Sequence, residues 1–354
     1  MVVYPLPPQL SPNPYLDQLY GPLEGLGVMV WRTRPRYALP ALLAGRGERL
    51  LHLHFFDELT QQPGRWATAA RTLLFVALLA ALRGRGVRLV WTAHNLEPHE
   101  LRHPAWAFLA YRYVVRQADA VIAHSASALE QLRARYGSPR RAAIIPHGSY
   151  VGLYGPPRPR ADGRAALKLP AHGRLVLSLG TLRPYKGLED LIDAFAQLPR
   201  ETRGTLLIAG APKDGAYADE LARRAAQVAG ARVEPRFIPD ADLPLYLAAA
   251  NVVALPYRSL LTSGMLLGAL SYARPVVAPA FGPVCELVRE GREGFLFTPG
   301  SVPSLRDALA RALAHPDLDA LGAAGLRAAG ELAWPKIAAR TAVLYREVTA
   351  EAAR

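Results

Sequence analysis

Two cations stand just beyond the end of a predicted strand. The segment Leu175–Gly187 reads LVLSLGTLRPYKG, in which an apolar run ends at Gly180 and a short loop carries Arg183 and Lys186. Apolar residues then recur at helical spacing in GLEDLIDAF, which predicts a strand, a loop and a helix. Backbone N–H groups and a helix N-terminus favour an anion above such a strand end. The pattern indicates a diphosphate site, but an ordinary strand–helix turn with two solvated cations would have the same sequence.

The elements that would position this loop alternate between strands and helices along the whole chain. Strands are predicted, for example, at Leu50–Phe56, Val87–Thr92 and Arg174–Leu179, with helices between them. This alternation is typical of an α/β protein with parallel sheets covered on both faces. A chain of 354 residues is expected to form two domains. The Pro-, Gly- and Arg-rich segment Tyr154–Lys168 is predicted to link them, and Pro335 predicts a kink that turns the last helix away from its own domain.

Polar residues follow the predicted strands of the first half as well. His54 lies near the end of one strand, with Asp57 just after it, and His94 opens the polar stretch that follows the next strand. Ligands collect at the carboxyl ends of strands in open α/β sheets. Asn13 and Tyr15 lie in the first loop between a strand and a helix. Each of these residues could instead cap a turn or be a satisfied polar group.

Charge is spread unevenly along the chain. Residues 1–170 carry 21 Lys and Arg against 10 Asp and Glu, a net of +11, and residues 171–354 carry 21 against 19, a net of +2, which together give +13. Arginine richness alone is typical of GC-rich or heat-adapted genomes, but that bias would affect both halves. The basic first half therefore predicts an anionic partner such as a membrane surface or a lipid-linked phosphate. Nucleic acid is not predicted, because no aromatic–basic cluster or helix-turn-helix pattern is present.

Cysteine usage and apolar stretches predict a cytoplasmic protein. Cys285 is the one cysteine, which excludes a disulfide framework and suits a reducing compartment. The start, MVVYPLPPQLSPNPY, has neither the basic nor the apolar region of a signal peptide. The most apolar stretch, Thr72–Leu82, is shorter than the ~20 residues that span a bilayer. Such a stretch is typical of a buried helix, and the arginines that flank it also fit peripheral attachment to the inner face of an anionic membrane.

Five blocks of sequence follow one another in a set order. They are IPHG at Ile145–Gly148, LGTLRPYKGLEDLIDAF, LLIAGAP at Leu206–Pro212, VEPRFIPDADLPLYLAAANVVALPYR at Val233–Arg258 and ALSYARPVVAPAFGPVCELVREGREGFLFTPGS at Ala269–Ser301. Together with WPKIA in the tail and VWTAHNLEPHE in the first half, they resemble the family 4 glycosyltransferases, which use nucleotide sugars. The resemblance implies the GT-B fold, with two Rossmann-like, doubly wound parallel-sheet domains facing each other across a cleft. The acceptor domain would be residues 1–160, the donor domain residues 165–334, and the helix 335–354 would pack back on the first domain.

The resemblance also implies roles for particular residues. Arg183 and Lys186 would hold the donor diphosphate and stabilise the charge that develops on it, and Gly180 would let the backbone approach it. His94 would lie near the donor sugar and complete the catalytic set. Further donor contacts would come from Phe237 and Ile238 at the nucleobase, and from Tyr257, Thr262, Ser263, Gly264 and Glu286. Acceptor contacts are expected from Asn13, Tyr15, His54 and Asp57.

The sequence departs from the family pattern at the donor sugar. The family usually has two glutamates eight positions apart, and this chain has Leu260 and Gly268 in those positions. Neither can bind a sugar hydroxyl through its side chain, so Glu286, or Glu97 from the other domain, would have to compensate. The departure leaves the donor and the stereochemistry open.

The predicted reaction needs no metal ion and no cofactor besides the nucleotide-sugar co-substrate. No Asp-x-Asp motif is suitably placed at a strand end, so cations and a helix N-terminus would neutralise the leaving diphosphate. If configuration is retained, as the resemblance implies, a donor phosphate oxygen can accept the proton of the acceptor. Inversion would require a base, for which Asp57, Glu97 and His94 are candidates.

The sequence therefore predicts a hexosyltransferase that uses a UDP- or GDP-sugar and a saccharide or lipid-linked saccharide acceptor, in polysaccharide or glycolipid assembly. Two alternatives remain open at this point. The missing glutamates would suit a non-catalytic partner subunit of the same fold. A nucleotide-sugar epimerase or a phosphorylase could also use this architecture.

Overall fold

The computed structural model describes residues 1–8, 13–32, 35–45, 47–98 and 100–350, without the side chains of residues 35–38. The first part of the chain forms a parallel sheet of six strands in the order β2-β1-β3-β4-β5-β6. Its strands are β1 (Val2–Leu6), β2 (Met29–Val30), β3 (Arg49–Leu53), β4 (Arg88–Ala93), β5 (Ala120–Ala123) and β6 (Ala142–Ile144). The helices between them are α1 (Tyr15–Glu24), α2 (Pro35–Ala44), α3 (Asp57–Thr60), α4 (Arg65–Gly84), α5 (Pro104–Gln117) and α6 (Ala126–Tyr136).

A second parallel sheet of six strands follows, in the order β12-β11-β10-β7-β8-β9. Its strands are β7 (Leu175–Leu179), β8 (Thr205–Ala209), β9 (Ala231–Glu234), β10 (Val252–Ala254), β11 (Val276–Pro279) and β12 (Gly294–Phe297). The helices here are α7 (Arg160–Ala166), α8 (Leu188–Ala196), α9 (Arg200–Arg203), α10 (Gly215–Ala226), α11 (Leu243–Ala249), α12 (Gly264–Ser271), α13 (Gly282–Cys285), α14 (Val302–Ala314) and α15 (Leu318–Gly330). The chain ends in α16 (Trp334–Ala350). The predicted α/β class with two doubly wound sheets is confirmed.

The central strand β7 shows why both faces of its sheet are covered. Successive side chains of a strand point to opposite faces. Val176 packs in one core with Phe195 of α8, whereas Leu177 and Leu179 pack in a second core with Leu247 of α11. Because every position of β7 is buried, the strand reads as a continuous apolar run, as expected in the middle of a parallel sheet.

The chain divides into two compact units, Met1–Gly148 with Trp334–Arg354 as the first and Ser149–Ala333 as the second. Tyr154–Lys168, which we expected to be a linker, lies inside the second unit and contains α7. Arg164 explains the difference, because its buried guanidinium donates to the Gly173 carbonyl at 2.8 Å and to Oδ1 of Asn251 at 2.7 Å. These bonds fix a segment whose composition resembles that of a linker.

The last helix begins anew at Trp334 and is not a kinked continuation of α15. Pro335 is its second residue, where the missing N–H would be unpaired in any case. The expected kink at Pro335 was therefore wrong. Helix α16 groups with the first unit, in which the Tyr345 hydroxyl lies 2.5 Å from Nδ1 of His52. Residues 351–354 of the expected final helix lie outside the described residues.

Helix α4 extends well beyond the predicted apolar stretch. Among the described residues it is the one helix long and apolar enough to cross a membrane, by length and composition alone, and 33% of its most apolar window is buried. Phe75 and Leu79 pack in the core of the first unit. On the other side, Trp66, Leu73 and Leu74 are 76%, 54% and 70% exposed. The helix thus has one packed face and one apolar face directed to solvent.

Candidate active site

The predicted diphosphate loop leaves the carboxyl end of β7 in the second unit. A turn of 3-10 helix covers Pro184–Lys186. Gly187, the N-cap of α8, has a left-handed backbone, φ +61°. A Cβ on Gly187 would lie 2.3 Å from the Pro256 carbonyl oxygen, so only glycine fits there. The loop is therefore held against the segment that follows β10.

Gly180 makes room for the lysine of the same loop. Its φ of +117° lies in the region that favours glycine, and a Cβ built on it would be 2.8 Å from Nζ of Lys186. The absent side chain thus leaves space for the ammonium group. This contact brings together two residues that the sequence predicted at one site.

Lys186 and Arg183 are neighbouring cations in the loop after β7. Among the residues that the structure describes, no carboxylate is paired with either side chain. Burial, followed by the nearby charge of Arg183, lowers the pKa of Lys186 to about 8. Arg258, by contrast, pairs with Glu189 and Asp190, each at 2.8 Å, so it joins the segment after β10 to α8. A partly buried cation without a counter-ion is well suited to bind an anion.

Tyr257 and Ser263 connect this cation to the start of α12. Nζ of Lys186 lies 5.7 Å from the centre of the Tyr257 ring. The Tyr257 hydroxyl is hydrogen-bonded to Ser263, the N-cap of α12, whose Oγ accepts from the Leu266 N–H at 3.0 Å. Tyr257 therefore connects Lys186 to the N-terminus of α12, which carries a partial positive charge.

Two further groups at the start of α12 are relevant to ligand binding. Oγ1 of Thr262 is buried and has no hydrogen-bond partner among the residues described. A Cβ on Gly264 would lie 2.8 Å from the Tyr150 hydroxyl, so this glycine admits the tyrosine. Sequence reasoning missed Tyr150, because nothing in its local pattern marks it and the contact spans more than a hundred residues.

The predicted nucleobase residues follow β9. The Phe237 side chain is 58% exposed to solvent, whereas the Ile238 side chain is buried in the second core. Asp240 acts electrostatically on Tyr150, whose pKa rises to about 12, mainly through burial. The segment after β9 is therefore near the start of α12.

The positions that usually hold glutamates lack polar side chains. Leu260 packs against the second core, and Gly268 lies within α12 with no contact closer than 3.9 Å to an added Cβ. Glu286 is exposed at the end of α13.

Five histidines lie at the carboxyl ends of the strands in the first unit. Parallel strands end at the same edge of a sheet, and here β3, β4, β5 and β6 each contribute. Nδ1 of His54 is 3.2 Å from Nε2 of His94, and Nδ1 of His94 is 3.3 Å from Nε2 of His124. The histidine cluster comprises His52, His54, His94, His124 and His147, and all five are buried.

The cluster is uncharged near neutral pH. Burial lowers the pKa of His52 and His147 to about 3 and that of His124 to about 4. For His54 and His94, burial also lowers the pKa well below its usual value, and neighbouring histidines add to the effect.

Tyr15 fills the space between these rings. Its ring centre lies 5.6, 4.7, 5.8, 4.9 and 5.2 Å from those of His54, His94, His124, His147 and Trp334. Oδ1 of Asn13 accepts from the Tyr15 N–H at 2.9 Å, so Asn13 caps the start of α1. The predicted acceptor residues Tyr15 and His54 therefore belong to one cluster with His94.

Two predicted bases of the first unit are bonded within the protein. Oδ1 of Asp57 accepts from the Tyr111 hydroxyl at 2.6 Å, and burial raises the pKa of Asp57. Glu97 forms an ion pair with Arg135. Within the described residues, no three or more His, Cys, Asp or Glu are grouped so that they could hold a metal ion.

Comparisons with known proteins agree with this architecture. The protein family described as "Glycosyl transferases group 1" matches residues 173–315, and the family described as "Glycosyltransferase Family 4" matches residues 21–149. The chain is 31% identical over 294 residues to a GDP-mannose:glycolipid 4-beta-D-mannosyltransferase of Xanthomonas campestris pv. campestris, which covers 82% of this chain and 76% of the relative.

Two solved structures have the same fold. Sucrose-phosphate synthase from Thermosynechococcus elongatus matches with a TM-score of 0.75 and 22% identity over 99% of both chains. Anabaena HepE, solved with UDP and glucose, matches with a TM-score of 0.73 and 20% identity over 98% of this chain and 99% of that chain. Since the mannosyltransferase match extends over most of the chain and both family descriptions apply, this protein is a glycosyltransferase of the GT-B fold and belongs to the group 1 and family 4 glycosyltransferases.

Proposed function

We propose that this enzyme transfers a hexosyl group from a UDP- or GDP-sugar to a saccharide or lipid-linked saccharide acceptor, without a metal ion. The observation that carries the proposal is the pair of neighbouring cations, Arg183 and Lys186, which have no carboxylate partner in the described chain, together with Tyr257, which connects Lys186 to the N-cap of α12. This arrangement suits a diphosphate that gains negative charge as its bond to the sugar breaks. The Xanthomonas relative, named for GDP-mannose and a glycolipid, supports this donor and acceptor class.

We also propose that the reaction retains the configuration of the sugar. The three candidate bases already take part in protein contacts: Asp57 with Tyr111, Glu97 with Arg135, and His94 with His54 and His124. A phosphate oxygen of the donor would then accept the proton of the acceptor hydroxyl. The Xanthomonas relative is named for a β-linked product. NMR of the anomeric centre in the donor and in the product shows directly whether the configuration is retained. A changed configuration would contradict retention.

Nucleotide binding tests the donor site directly. We expect UDP or GDP to raise the unfolding temperature in the presence of EDTA, because at a hundred times its Kd a ligand stabilises the folded state by about 3 kcal/mol. Transfer to a lipid-linked acceptor should also persist in EDTA. Adenosine diphosphate is the control. Binding without transfer or hydrolysis would favour a non-catalytic subunit, and conversion of the sugar nucleotide without an acceptor would favour an epimerase.

We propose that the first unit attaches to an anionic membrane through α4. Its exposed residues Trp66, Leu73 and Leu74 recur at helical spacing, and no charged residue lies between Arg71 and Arg83. Phe108 and Leu109 of α5 are 39% exposed and extend the apolar character, since α5 packs against α4. Other arginines flank the helix, and the first 170 residues carry a net charge of +11 (21 against 10). An apolar strip with cationic ends is complementary to an anionic bilayer surface.

Flotation with vesicles tests this attachment. We expect binding to vesicles that contain an anionic phospholipid, weaker binding in high salt, and little binding to neutral vesicles. The double variant Leu73→Ser/Leu74→Ser should float several-fold less, because it removes apolar area from the contact. Val343→Ser, at a 50% exposed position of α16 in the same unit, is the matched control. Equal flotation of both variants, or binding that ignores salt and lipid charge, would contradict the proposal.

A further inference from the structure

Four histidines of the cluster lie on one chain of hydrogen bonds that runs from the Ile145 carbonyl to the Thr92 hydroxyl, and the Ile145 carbonyl determines its direction. We infer that His124 is a positioning residue that fixes His94 in one neutral tautomer, with its proton on Nδ1, and that His54 and Tyr20 extend the same chain. The importance of His94 for turnover rests on the proposed transferase function. The tautomer itself rests on contacts within the first unit alone.

The direction of the chain is determined at Ile145. Its carbonyl oxygen lies 2.9 Å from Nδ1 of His124, and a carbonyl can only accept. Nδ1 of His124 therefore carries the proton, and Nε2 of the neutral ring is an acceptor. Nδ1 of His94, 3.3 Å from that Nε2, must then donate. The proton of His94 is thereby placed on Nδ1, and its Nε2 is left as an acceptor.

The same argument continues to the far end of the chain. Nδ1 of His54 lies 3.2 Å from Nε2 of His94 and donates to it, so Nε2 of His54 accepts from the Tyr20 hydroxyl at 2.7 Å. Tyr20 has then used its proton, and its oxygen accepts from Nδ1 of His52 at 2.8 Å. Nε2 of His52 finally accepts from the Thr92 hydroxyl at 2.8 Å. From Ile145 to Tyr20 every donor meets an acceptor. The Tyr345 hydroxyl also lies 2.5 Å from Nδ1 of His52, so the tautomer of His94 is determined from the Ile145 end.

A proton added to the chain would disturb this order. An imidazolium has two donors and no acceptor. A proton on His124 would therefore reverse every bond from His94 to Thr92. Burial opposes the charge as well, which agrees with the lowered pKa of each ring.

Both ring nitrogens of His94 are therefore used within the protein. His94 cannot accept a proton from a substrate without breaking its bond to His54, so its expected role is to present a neutral ring in a fixed orientation. The ring is held by His54 on one side and His124 on the other, and it stacks on Phe55 at 4.3 Å between ring centres. Loss of His124 would free the tautomer, and loss of either histidine neighbour would loosen the orientation.

Replacement of His124 offers a matched pair of variants. In His124→Asn the side-chain amide can still donate to the Ile145 carbonyl, but nothing reaches the former position of Nε2. In His124→Gln the side-chain oxygen can reach that position and accept from Nδ1 of His94. We therefore expect only His124→Asn to release the tautomer of His94. His172→Asn, at an exposed position of the second unit, is the control.

Ring-nitrogen NMR of protein labelled with 15N-histidine reads the tautomer without any substrate. We expect a protonated Nδ1 on His94 in the wild type and in His124→Gln, and a mixed tautomer in His124→Asn. In turnover, we expect His124→Asn to lower kcat about tenfold with the donor KM little changed, and His124→Gln to restore most of it. Far-UV circular dichroism identifies variants that fail to fold. For those, the wild-type spectrum alone still tests the inferred proton on Nδ1 of His94.

Three outcomes separate the possibilities. A proton on Nε2 of His94 in the wild type would overturn the inferred direction of the chain. The inferred tautomer with an unchanged kcat in His124→Asn would overturn the positioning role. If no sugar nucleotide supports transfer, the proposed function fails, whereas the NMR pattern still confirms or refutes the tautomer.

Discussion

Replacement of Arg183 and Lys186 by alanine is expected to lower kcat/KM for the sugar nucleotide by about a thousandfold or more. Loss of one well-placed donor to a developing anion typically costs about a hundred- to a thousandfold in rate. Here both groups lack a carboxylate partner among the described residues, and burial has already weakened the hold of Lys186 on its proton. In the free enzyme the charge of the partly buried Lys186 is uncompensated, which is unfavourable, and an anionic ligand would compensate it. Each tenfold loss corresponds to about 1.4 kcal/mol of transition-state stabilisation.

Lys336→Ala is the matched control, because this lysine is exposed on α16. Nucleotide affinity by calorimetry and initial rates of transfer should both fall in the double variant and stay unchanged in the control. Wild-type affinity and turnover in the double variant would remove the basis of the assignment.

The alkaline limb of the pH profile gives a sharper test of the same site. Because the pKa of Lys186 is lowered to about 8, its ammonium is present below that pH and is lost as the pH rises through it. We expect kcat/KM, which reports the free enzyme, to fall in this range. Lys186→Arg keeps a cation at high pH and should move the limb upward, even if its bulkier head lowers the absolute rate.

The geometry of the loop after β7 was predictable because its parts are local. Strand, glycine, cations and helix follow one another between Leu175 and Phe195, so apolar periodicity and turn chemistry sufficed. The contact of Tyr150 was not predictable in this way. Its hydroxyl lies next to Gly264, which is more than a hundred residues away in the sequence, and only the fold of the second unit brings them together. Similarly, the composition of Tyr154–Lys168 indicated a linker, and only the buried guanidinium of Arg164 shows why it is ordered.

The histidine cluster lies between these cases. A histidine follows or ends each of four strands, in LHLHFF, WTAHN, VIAHS and IIPHG. Strand order then places them at one sheet edge, as β3, β4, β5 and β6 are consecutive neighbours. Sequence reasoning considered His54 and His94 one by one and did not consider His124. Recognition of the repeated position would have found it.

Acidification is expected to destabilise the first unit steeply. Each buried histidine is neutral in the folded state, and its pKa lies below the value of about 6.5 for an unfolded chain. Below pH 6.5 these histidines therefore bind protons in the unfolded state that they do not bind in the folded state. The free energy of unfolding falls by roughly 1 kcal/mol per pH unit for each such histidine, until the pH reaches the folded-state pKa near 4 or 3.

The number of histidines makes the effect large. Single domains are stable by about 5–15 kcal/mol, and the three histidines whose folded-state pKa is about 3 or 4 remove roughly 6 kcal/mol of this over two pH units. Burial lowers the pKa of His54 and His94 in the same direction. We therefore expect the first unit to unfold before pH 4, while its stability changes little between pH 7 and 8. Asp57 acts in the opposite direction, because its raised pKa favours the folded state in acid, but it is a single group.

Calorimetric unfolding between pH 8 and pH 4 measures this slope. His124→Gln removes one titrating ring and keeps its acceptor, so the slope should decrease by roughly 1 kcal/mol per pH unit. His172→Gln, at an exposed position of the second unit, should leave the slope unchanged. A flat profile down to pH 5 would show that the cluster binds protons without cost. It would also contradict the inferred direction of the hydrogen bonds from Thr92 to Ile145, because a proton added at His124 would reverse them.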